Sequence, residues 1–472
     1  MDLIEADYLV VGAGAMGMAF VDTLLTETSA TVVLVDAGHQ PGGHWTSAYP
    51  FVRLHQPSAY YGVNSRPLGS DTIESSGWNQ GFYELASGSE VIAYYDQVLR
   101  QQFLPTGRVS YFPMANYLGD NRFRTLDGTT HTVRVRRRTV DATYLLTTVP
   151  SMLPVPFAVA DGVEVVPPNE LPRHAAARQH YTIVGAGKTG MDACLWLLGH
   201  GVPPARIRWI KPRDSWMLNR ANVQPGERFL NQLRASIAFQ MQAIAEAKSL
   251  DDLFARLEKD GTLLRLDPRV RPTMYHCAIV SQAEVDQLRS IEDVVRLGRI
   301  KRIAGDQLVL AEGTVAADAD SLYINCTIPG LPRPPSVPVF AEDRITLQSV
   351  RGCQQVFSSA LIAHVEGAYP DDTTRNELCQ PVRHPDAPLD WLRINLSDNR
   401  AQLRWLRDPA LAAWLESARL NIVRGLFAQI PEKPRVRERM LGMLATALEQ
   451  TNSRLAELMT LASPDEIRSA SG

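Results

Sequence analysis

Two stretches of the chain repeat one order of apolar and polar positions. In the first, an apolar run at residues 8–11 leads into a Gly-rich turn, apolar residues then recur at helical spacing, and the β-branched run 31–35 follows. The second stretch has apolar runs at residues 181–184 and 207–210, separated by a Gly-rich turn and an apolar helix. A strand, a Gly-rich turn, a helix and a strand are typical of a βαβ unit in a buried parallel sheet. The pattern therefore predicts an α/β fold with two Rossmann-like dinucleotide-binding domains.

The remaining segments indicate how these two units share the chain. A Pro-rich stretch at residues 149–172 is typical of a connector, and apolar residues at helical spacing between 230 and 259 predict a helical insertion. From about residue 400 the pattern is helical, and an amphipathic stripe at 441–459 indicates core packing or a partner face, with a homodimer left open. We expect the second domain to interrupt the first. The predicted boundaries are 1–165 and 316–400 for the first domain, 166–315 for the inserted domain and 401–472 for a helical C-terminal region.

The first Gly-rich turn has the pattern Gly12-x-Gly14-x-x-Gly17, with Asp36 at the end of the next strand, 22 residues after Gly14. In this pattern the first glycine permits a tight turn, the second lets a pyrophosphate approach the backbone, and the third lets the helix pack against the strand. A pyrophosphate then lies at the helix N-terminus, and the acid accepts hydrogen bonds from a ribose. Because strand, helix and acid all stand at the required offsets, the motif predicts a dinucleotide site.

The second Gly-rich turn, Gly185-x-Gly187-x-x-Gly190, is followed by a strand that ends differently. Lys211 and Arg213 stand where the first unit has its acid. Cations at this position suit a 2′-phosphate, so NADPH is favoured over NADH. Two dinucleotide folds in one chain suggest an electron relay, with FAD in the first domain and NADPH in the second.

The segment after Asp36 contains Gly43, His44 and Trp45 within the sequence PGGHW, followed by YPFVRLHQ at residues 49–56. These segments, together with residues 211–220, resemble the flavin-containing monooxygenases and Baeyer–Villiger monooxygenases. The resemblance covers residues 5–60 and 180–220 well and residues 316–360 loosely. It implies that Gly43, His44 and Trp45 contact the flavin cofactor.

The same resemblance implies roles for His55 and Gln56, and the sequence offers Arg53 and Gln348 as two further candidates. It sets His55 and Gln56 near the reactive edge of the flavin, where hydrogen-bond donors stabilise a reduced flavin or a peroxide anion. His55 could alternatively be a structural histidine in a loop. Arg53 is a candidate for binding a cofactor phosphate or a substrate carboxylate. Gln348, near the start of a Ser- and Ala-rich helix, is a candidate contact of the flavin pyrimidine.

The resemblance implies an NADPH-dependent monooxygenase that hydroxylates a small organic substrate through a flavin hydroperoxide. The family's F-x-G-x-x-x-H sequence is missing before the second Gly-rich turn, where residues 171–187 read LPRHAAARQHYTIVGAG. An NAD(P)H-dependent flavin reductase or dehydrogenase without oxygen insertion is therefore an alternative. A non-catalytic dinucleotide-binding sensor or scaffold is a second alternative.

Composition narrows the range of partners. The chain has 472 residues, of which 45% are hydrophobic, so it can bury a large core. Its 48 basic and 51 acidic residues give a net charge of −3, without the basic footprint of a nucleic-acid or membrane-surface protein. We expect a small-molecule substrate and O2 as partners, and neither nucleic acid nor membrane.

The cysteines predict the redox setting. The five are Cys194, Cys277, Cys326, Cys353 and Cys379, and no two are closer than 26 residues. Without a C-x-x-C pair or zinc-like spacing, they predict unpaired core cysteines, no metal site and a reducing compartment. The acidic N-terminal residues and the absence of an apolar run of ~18 residues favour a cytoplasmic location.

Overall fold

Strands of four β-sheets form the framework of the chain in its described part. The computed structural model describes residues 2–175, 178–318, 320–328, 332–426 and 433–462. The described strands are β1 (Asp2–Val11), β2 (Val32–Val35), β3 (Val109–Phe112), β4 (Asn116–Gly119), β5 (Arg122–Arg124), β6 (Thr130–Asp141), β7 (Ala158–Val159), β8 (Val165–Val166), β9 (His180–Val184), β10 (Ile207–Ile210), β11 (Ser215–Asn219), β12 (Leu263–Leu264), β13 (Met274–Val280), β14 (Val294–Val295), β15 (Ile300–Ile303), β16 (Gln307–Leu310), β17 (Gly313–Ala316), β18 (Ser321–Asn325) and β19 (Arg344–Thr346). The described α-helices are α1 (Ala15–Glu27), α2 (Gly88–Val98), α3 (Leu171–His174), α4 (Lys188–Gly199), α5 (Glu227–Glu246), α6 (Leu250–Lys259), α7 (Gln282–Leu288), α8 (Gln355–Ala368), α9 (Asp372–Leu378), α10 (Pro388–Arg407), α11 (Pro409–Ser417) and α12 (Pro434–Thr460).

The first sheet contains the N-terminal βαβ unit. Its strand order is β3-β2-β1-β6-β5-β4, with β19 also paired to β6. β1 runs parallel to both β2 and β6, and its Leu9 and Val10 are fully buried. The apolar faces of α1 and α8 contribute to the core cluster on this sheet. β2 and β6 lie on opposite sides of β1. Where the strand order reverses in this way, a parallel sheet has a crevice at the carboxyl ends of its strands, and ligands bind in such crevices.

The second sheet contains the second βαβ unit. Its order is β14-β10-β9-β18-β8, and all the pairs are parallel. Ile183 of β9, Trp209 of β10 and Cys194 of α4 are buried in its core. The chain then returns to the first sheet, where β19 pairs in parallel with β6. The α/β fold with two Rossmann-like units, the second inserted into the first, is confirmed.

The strand pairing moves the predicted domain boundaries. β18 pairs with β9 along its whole length, so residues 321–325 belong to the inserted domain, although the prediction ended that domain at 315. β8 pairs with β18, so Val165 and Val166 also lie in the second sheet. β18 is the last strand of the second sheet before the chain returns to the first domain. Its own sequence does not show that it pairs with β9 of the second βαβ unit.

The helical insertion and the C-terminal region pack together. α5, α6, α10 and α12 share a core cluster with the third sheet, whose order is β12-β11-β13. Leu455 and Leu458 of α12 are fully buried there, whereas Met443, nearer the start of the helix, is 64% exposed. The amphipathic stripe of the C-terminal helix is therefore core in its second half.

The prediction that all five cysteines are unpaired is wrong. Cys277 on β13 and Cys353 before α8 form a disulfide across a separation of 76 residues. Cys194, Cys326 and Cys379 are free and buried. Sequence spacing could not show the pair because it joins the inserted domain to the returning part of the first domain. The argument from unpaired thiols for a reducing compartment no longer holds.

The described residues contain neither a candidate membrane span nor a candidate metal cluster. No described helix combines the length and the apolar character that crossing a bilayer requires. Histidine, cysteine and acidic side chains nowhere come together in threes or more as a metal ion requires, within the part of the chain described above.

Candidate functional site

The first Gly-rich turn leaves the N-terminus of α1 open. Gly12 has a φ of 106°, and a Cβ on Gly17 would collide with the carbonyl oxygen of Gly12. Gly14 is the N-cap residue of α1, no side chain caps the helix, and the atom nearest to a Cβ built on Gly14 is Cα of Gly43, 3.7 Å away. The uncapped N–H groups and this space fit a pyrophosphate.

Asp36 lies beside this turn at the end of β2. Its Oδ2 accepts a hydrogen bond from the backbone N–H of Ala13 (2.5 Å), and its Oδ1 accepts one from Gly38 (2.6 Å). The hydroxyl of Tyr111 on neighbouring β3 is buried without a hydrogen-bond partner among the described residues. Burial and the charge of Asp36 raise the pKa of Tyr111, so the phenol stays protonated. A carboxylate and an unpartnered hydroxyl fit the polar edge of a nucleoside.

The segment of Gly43, His44 and Trp45 closes over the first turn. The backbone N–H of Gly42 donates to the carbonyl of Ala13 (2.9 Å), and a Cβ on Gly43 would lie 3.1 Å from Cα of Gly14. Trp45 is buried, and its indole donates to the hydroxyl of Tyr61 (2.7 Å). Burial lowers the pKa of the His44 imidazole to about 4. The segment therefore brings a neutral histidine close to the turn.

The second Gly-rich turn repeats this geometry. Gly185 has a φ of 131°, and its carbonyl accepts a hydrogen bond from the indole of Trp209 (2.8 Å). A Cβ on Gly190 would collide with that carbonyl oxygen, so only glycine permits the close packing of α4. Gly187 caps α4 without a side-chain hydrogen bond, and a Cβ built on it would meet nothing within 4 Å. This turn also has room for a pyrophosphate.

The predicted 2′-phosphate cations are both in ion pairs. Lys211 is buried, and its Nζ lies 2.6 Å from Oδ1 of Asp214 and 4.7 Å from the ring centre of Trp209. Arg213 is one-third exposed, and its two terminal nitrogens donate to Asp386 (2.7 and 3.1 Å). These contacts disagree with a phosphate-binding role for Lys211. Arg213 remains a predicted phosphate ligand.

His55 joins the first domain to the inserted domain. Its Nδ1 accepts a hydrogen bond from the backbone N–H of Ile279 on β13 (3.1 Å). Burial, with the charges of Lys188 and Arg220, lowers the pKa of His55 to about 3. The imidazole is therefore neutral, and because Nδ1 is the acceptor, Nε2 carries the proton. Nε2 has no hydrogen-bond partner in the described part of the chain, so it remains a free donor.

A charged pair on α4 faces the same region. Lys188 donates through Nζ to Oδ1 of Asp192, and the hydroxyl of Tyr49 donates to Oδ2 of that carboxylate (2.6 Å). Burial and the charge of Asp192 raise the pKa of Tyr49, which holds the phenol protonated. The ring of Phe51 packs on Trp196 of α4, with 5.4 Å between ring centres. Tyr49 and Phe51 therefore contact helix α4, which begins at the second Gly-rich turn.

Arg220 donates a hydrogen bond to the backbone of His55. Its side chain is 0% exposed and forms an ion pair with Glu284 on α7 (2.7 Å). Its Nε donates to the carbonyl of His55 (3.1 Å), and Nη1 donates to Oδ1 of Asn79 (3.2 Å). A buried ion pair of the inserted domain therefore fixes a loop of the first domain.

Three other predicted residues bond to nearby loops. Gln56 donates weakly to the carbonyl of Tyr60 (3.4 Å). Arg53 is about half exposed, pairs with Glu74 (2.5 Å) and donates to the Leu85 carbonyl. Gln348 bonds through both amide atoms to the backbone of Val337 (2.9 and 3.4 Å), which disagrees with an amide free to bind a flavin.

Sequence reasoning missed Tyr49, Lys188, Asp192 and Glu284. Lys188 and Asp192 stand four residues apart on a predicted helix, which is a readable signal for a paired face. The contacts of Tyr49 with Asp192 and of Arg220 with Glu284 join residues 143 and 64 positions apart, and no local pattern marks them.

The fold and the two open Gly-rich turns define a Rossmann-type dinucleotide-binding protein. Residues 10–64 match the family model of the NAD(P)-binding Rossmann-like domain, which confirms the class for the first turn. The chain is 59% identical over 459 residues to the uncharacterized protein Rv2000 of Mycobacterium tuberculosis, and the match covers 97% of this chain and 85% of that protein. The same values hold for the uncharacterized protein Mb2023 of Mycobacterium bovis. The chain belongs to the family of these mycobacterial proteins.

Solved structures similar to this chain include flavin monooxygenases and a bacillithiol disulfide reductase from Staphylococcus aureus. A cyclohexanone monooxygenase in an open structure has 13% identity and a TM-score of 0.47 over 77% of this chain and 88% of that one. An oxidized steroid monooxygenase bound to NADP has 15% identity and a TM-score of 0.45 over 96% and 98%. A flavin monooxygenase from Stenotrophomonas maltophilia has 16% identity and a TM-score of 0.45 over 78% and 99%.

Proposed function

We propose that the protein is an FAD-dependent oxidoreductase that uses NADPH and O2 to hydroxylate a small organic substrate. The observation that carries the proposal is the pair of open Gly-rich turns, with Tyr49 bonded to α4 after the second turn and His55 bonded to β13 of the inserted domain. FAD, when bound, would accept a hydride from NADPH and pass electrons onward.

The residues of the chain divide the work. Gly12, Gly14 and Gly17 with the N-terminus of α1 would hold the FAD pyrophosphate, and Asp36 its ribose. Gly43, His44 and Trp45 would cover it from above. Gly185, Gly187 and Gly190 with α4 would hold the NADPH pyrophosphate, and Arg213 is the remaining candidate for the 2′-phosphate.

His55 and Lys188 supply the electrostatics of the reacting region. His55 offers a neutral N–H donor whose tautomer is fixed by Ile279, and Lys188 adds a positive charge nearby. A preorganised donor and a cation stabilise negative charge that develops during hydride or oxygen chemistry without reorganising water. The hydroxyl of Tyr49 keeps the Asp192 carboxylate in place and so holds the Lys188 ammonium.

A substitution at Gly187 tests the nicotinamide site. Gly187 has a φ of −77° and open space around it, so Gly187→Ala strains nothing in the protein. We expect it to weaken NADPH binding at least tenfold while leaving FAD content unchanged, because the methyl group occupies the space of the pyrophosphate. Gly442→Ala on α12, where a Cβ also meets nothing within 4 Å, is the matched control. Unchanged NADPH affinity in Gly187→Ala would refute the assignment.

The reaction with oxygen separates monooxygenase from reductase. The missing F-x-G-x-x-x-H sequence favours the second candidate, a flavin reductase or dehydrogenase without oxygen insertion. The protein is reduced with NADPH under anaerobic conditions and then mixed with O2 while the flavin absorbance is followed. A distinct transient spectrum between reduced and oxidised flavin supports the monooxygenase. Direct reoxidation with one H2O2 per NADPH supports the reductase.

A further inference from the structure

A small cavity lies where the chain returns to the first domain. Its walls are the return segment 332–336, residues 348–355 at the start of α8, and residues 381–384. Gln348 bonds the first wall to the second through Val337, and the backbone N–H of Val382 donates to the carbonyl of Ser349 (2.7 Å). Three separate segments are therefore tied together around this cavity.

The lining of the cavity is cationic. It contains Arg333, Arg383 and His384 together with Gln355 and two serines, and its described lining includes no acidic residue. Arg383 is exposed and stands at the rim, whereas Arg333 and His384 are half-buried. A concave surface with two guanidinium groups and neutral donors selects for anions.

The acid behind the cavity neutralises only part of this charge. Asp386 accepts hydrogen bonds from both terminal nitrogens of Arg213 and from Nε2 of His276 (2.7 Å), and it forms a longer ion pair with Nη1 of Arg333 (3.5 Å). These partners hold the pKa of Asp386 well below its usual value despite its burial. One carboxylate thus faces two arginines, and Arg213 takes both of its oxygens. Arg333 retains donors that can bind a ligand.

Other donors at the cavity also lack partners. Within the described residues, the side chains of Arg383, His384 and Gln355 form no hydrogen bond. Burial and the nearby His276 and Arg333 lower the pKa of His384 to about 4, so its ring is a neutral donor rather than a third cation. These side chains therefore offer donors that an anionic ligand can use.

We infer that this cavity binds the carboxylate of a small organic anion, with Arg333 as the principal ligand and His384 and Gln355 as additional donors. The inference deepens the proposed function, because it makes the substrate an organic acid. It rests on the proposed function only in treating the bound anion as the substrate. A planar carboxylate matches the two parallel N–H groups of a guanidinium. A phosphate of the bound cofactors offers the same chemistry and is the competing source.

Benzoate and its neutral isostere benzamide are the probes. Equilibrium dialysis of the full-length protein, saturated with FAD and NADP+, measures binding of each compound. We expect benzoate to bind and benzamide to bind at least tenfold more weakly. Arg333→Gln should weaken benzoate binding about 10- to 100-fold, as expected for the loss of charge-assisted hydrogen bonds. Arg333→Lys should restore part of this affinity.

Arg439→Gln, at an exposed position of α12, is the matched control and should bind benzoate as the original protein does. Equal binding of benzoate and benzamide, or unchanged benzoate affinity in Arg333→Gln, overturns the inference. Benzoate could instead bind only when FAD or NADP+ is omitted, with Arg333→Gln weakening the binding of that cofactor as much as the binding of benzoate. The natural anion would then be a cofactor phosphate, and the substrate assignment would be overturned. Because the assay needs no turnover, a protein that NADPH fails to reduce can still bind benzoate.

Discussion

The buried ion pair of Arg220 and Glu284 permits a sharp test of how the site is held. The substitution Glu284→Gln keeps the size of the side chain and one acceptor oxygen but removes its negative charge. Arg220 is 0% exposed, so its guanidinium would keep only neutral acceptors on His55, Ile279 and Asn79. Breaking a buried pair from one side costs about 3–5 kcal/mol. Since glutamine retains an acceptor, we expect about 3 kcal/mol, the lower end of that range.

Urea unfolding followed by tryptophan fluorescence measures this loss. Glu438→Gln, at an exposed position of α12, is the control and should change the unfolding free energy by less than about 0.5 kcal/mol. The double variant Arg220→Met with Glu284→Leu should recover much of the stability, because an apolar pair of similar volume carries no unpaired buried charge. If Glu284→Gln unfolds at the same urea concentration as Glu438→Gln, the ion pair does not have the role described here.

Three further predictions concern protons and thiols. The pKa values of His44, His55 and His384 are lowered to about 4, about 3 and about 4, so the unfolded chain takes up protons between pH 6.5 and 4 that the folded chain does not. The free energy of unfolding should therefore fall as the pH is lowered through that window, by about 1.4 kcal/mol per pH unit for each histidine. Urea unfolding of His55→Gln should show a dependence of this free energy on pH that is smaller by one such contribution. An unchanged dependence would contradict a neutral His55. Thiol titration of the protein unfolded without reductant should find three thiols, and five after reduction; five at the outset would contradict the disulfide. Replacing Cys277 and Cys353 with serine should lower the unfolding free energy by about 2–4 kcal/mol, measured in urea, and no loss would show that the bond is dispensable.

The two βαβ units could be predicted from the sequence because their signals are local. An apolar run, a Gly-rich turn and a helical period stand within about 35 residues of one another, and each part constrains the next. The place of β18 in the second sheet could not be predicted, because β18 pairs with β9, which lies 141 residues earlier along the chain by the register of Ser321 with His180. Its neighbours are determined by tertiary packing and not by its own sequence.

The candidate site divides in the same way. The glycines are readable because only glycine permits the backbone of Gly12 and Gly185, both at positive φ. The tautomer of His55 depends on a hydrogen bond from the N–H of Ile279. The ammonium of Lys211 is taken up by an ion pair with Asp214 in the interior, and no motif encodes either contact. Lys211 illustrates the limit, since a cation at the expected offset is turned inward to a carboxylate three residues away.

The proposed function requires that this chain bind FAD and reduce it with NADPH. The most direct measurement is an anaerobic titration of the FAD-saturated protein with NADPH, followed by the absorbance of the flavin. The account predicts one FAD bound per chain and complete bleaching by one equivalent of NADPH, with Gly187→Ala requiring a higher NADPH concentration. A protein that retains no FAD, or a bound flavin that NADPH leaves oxidised, would contradict it.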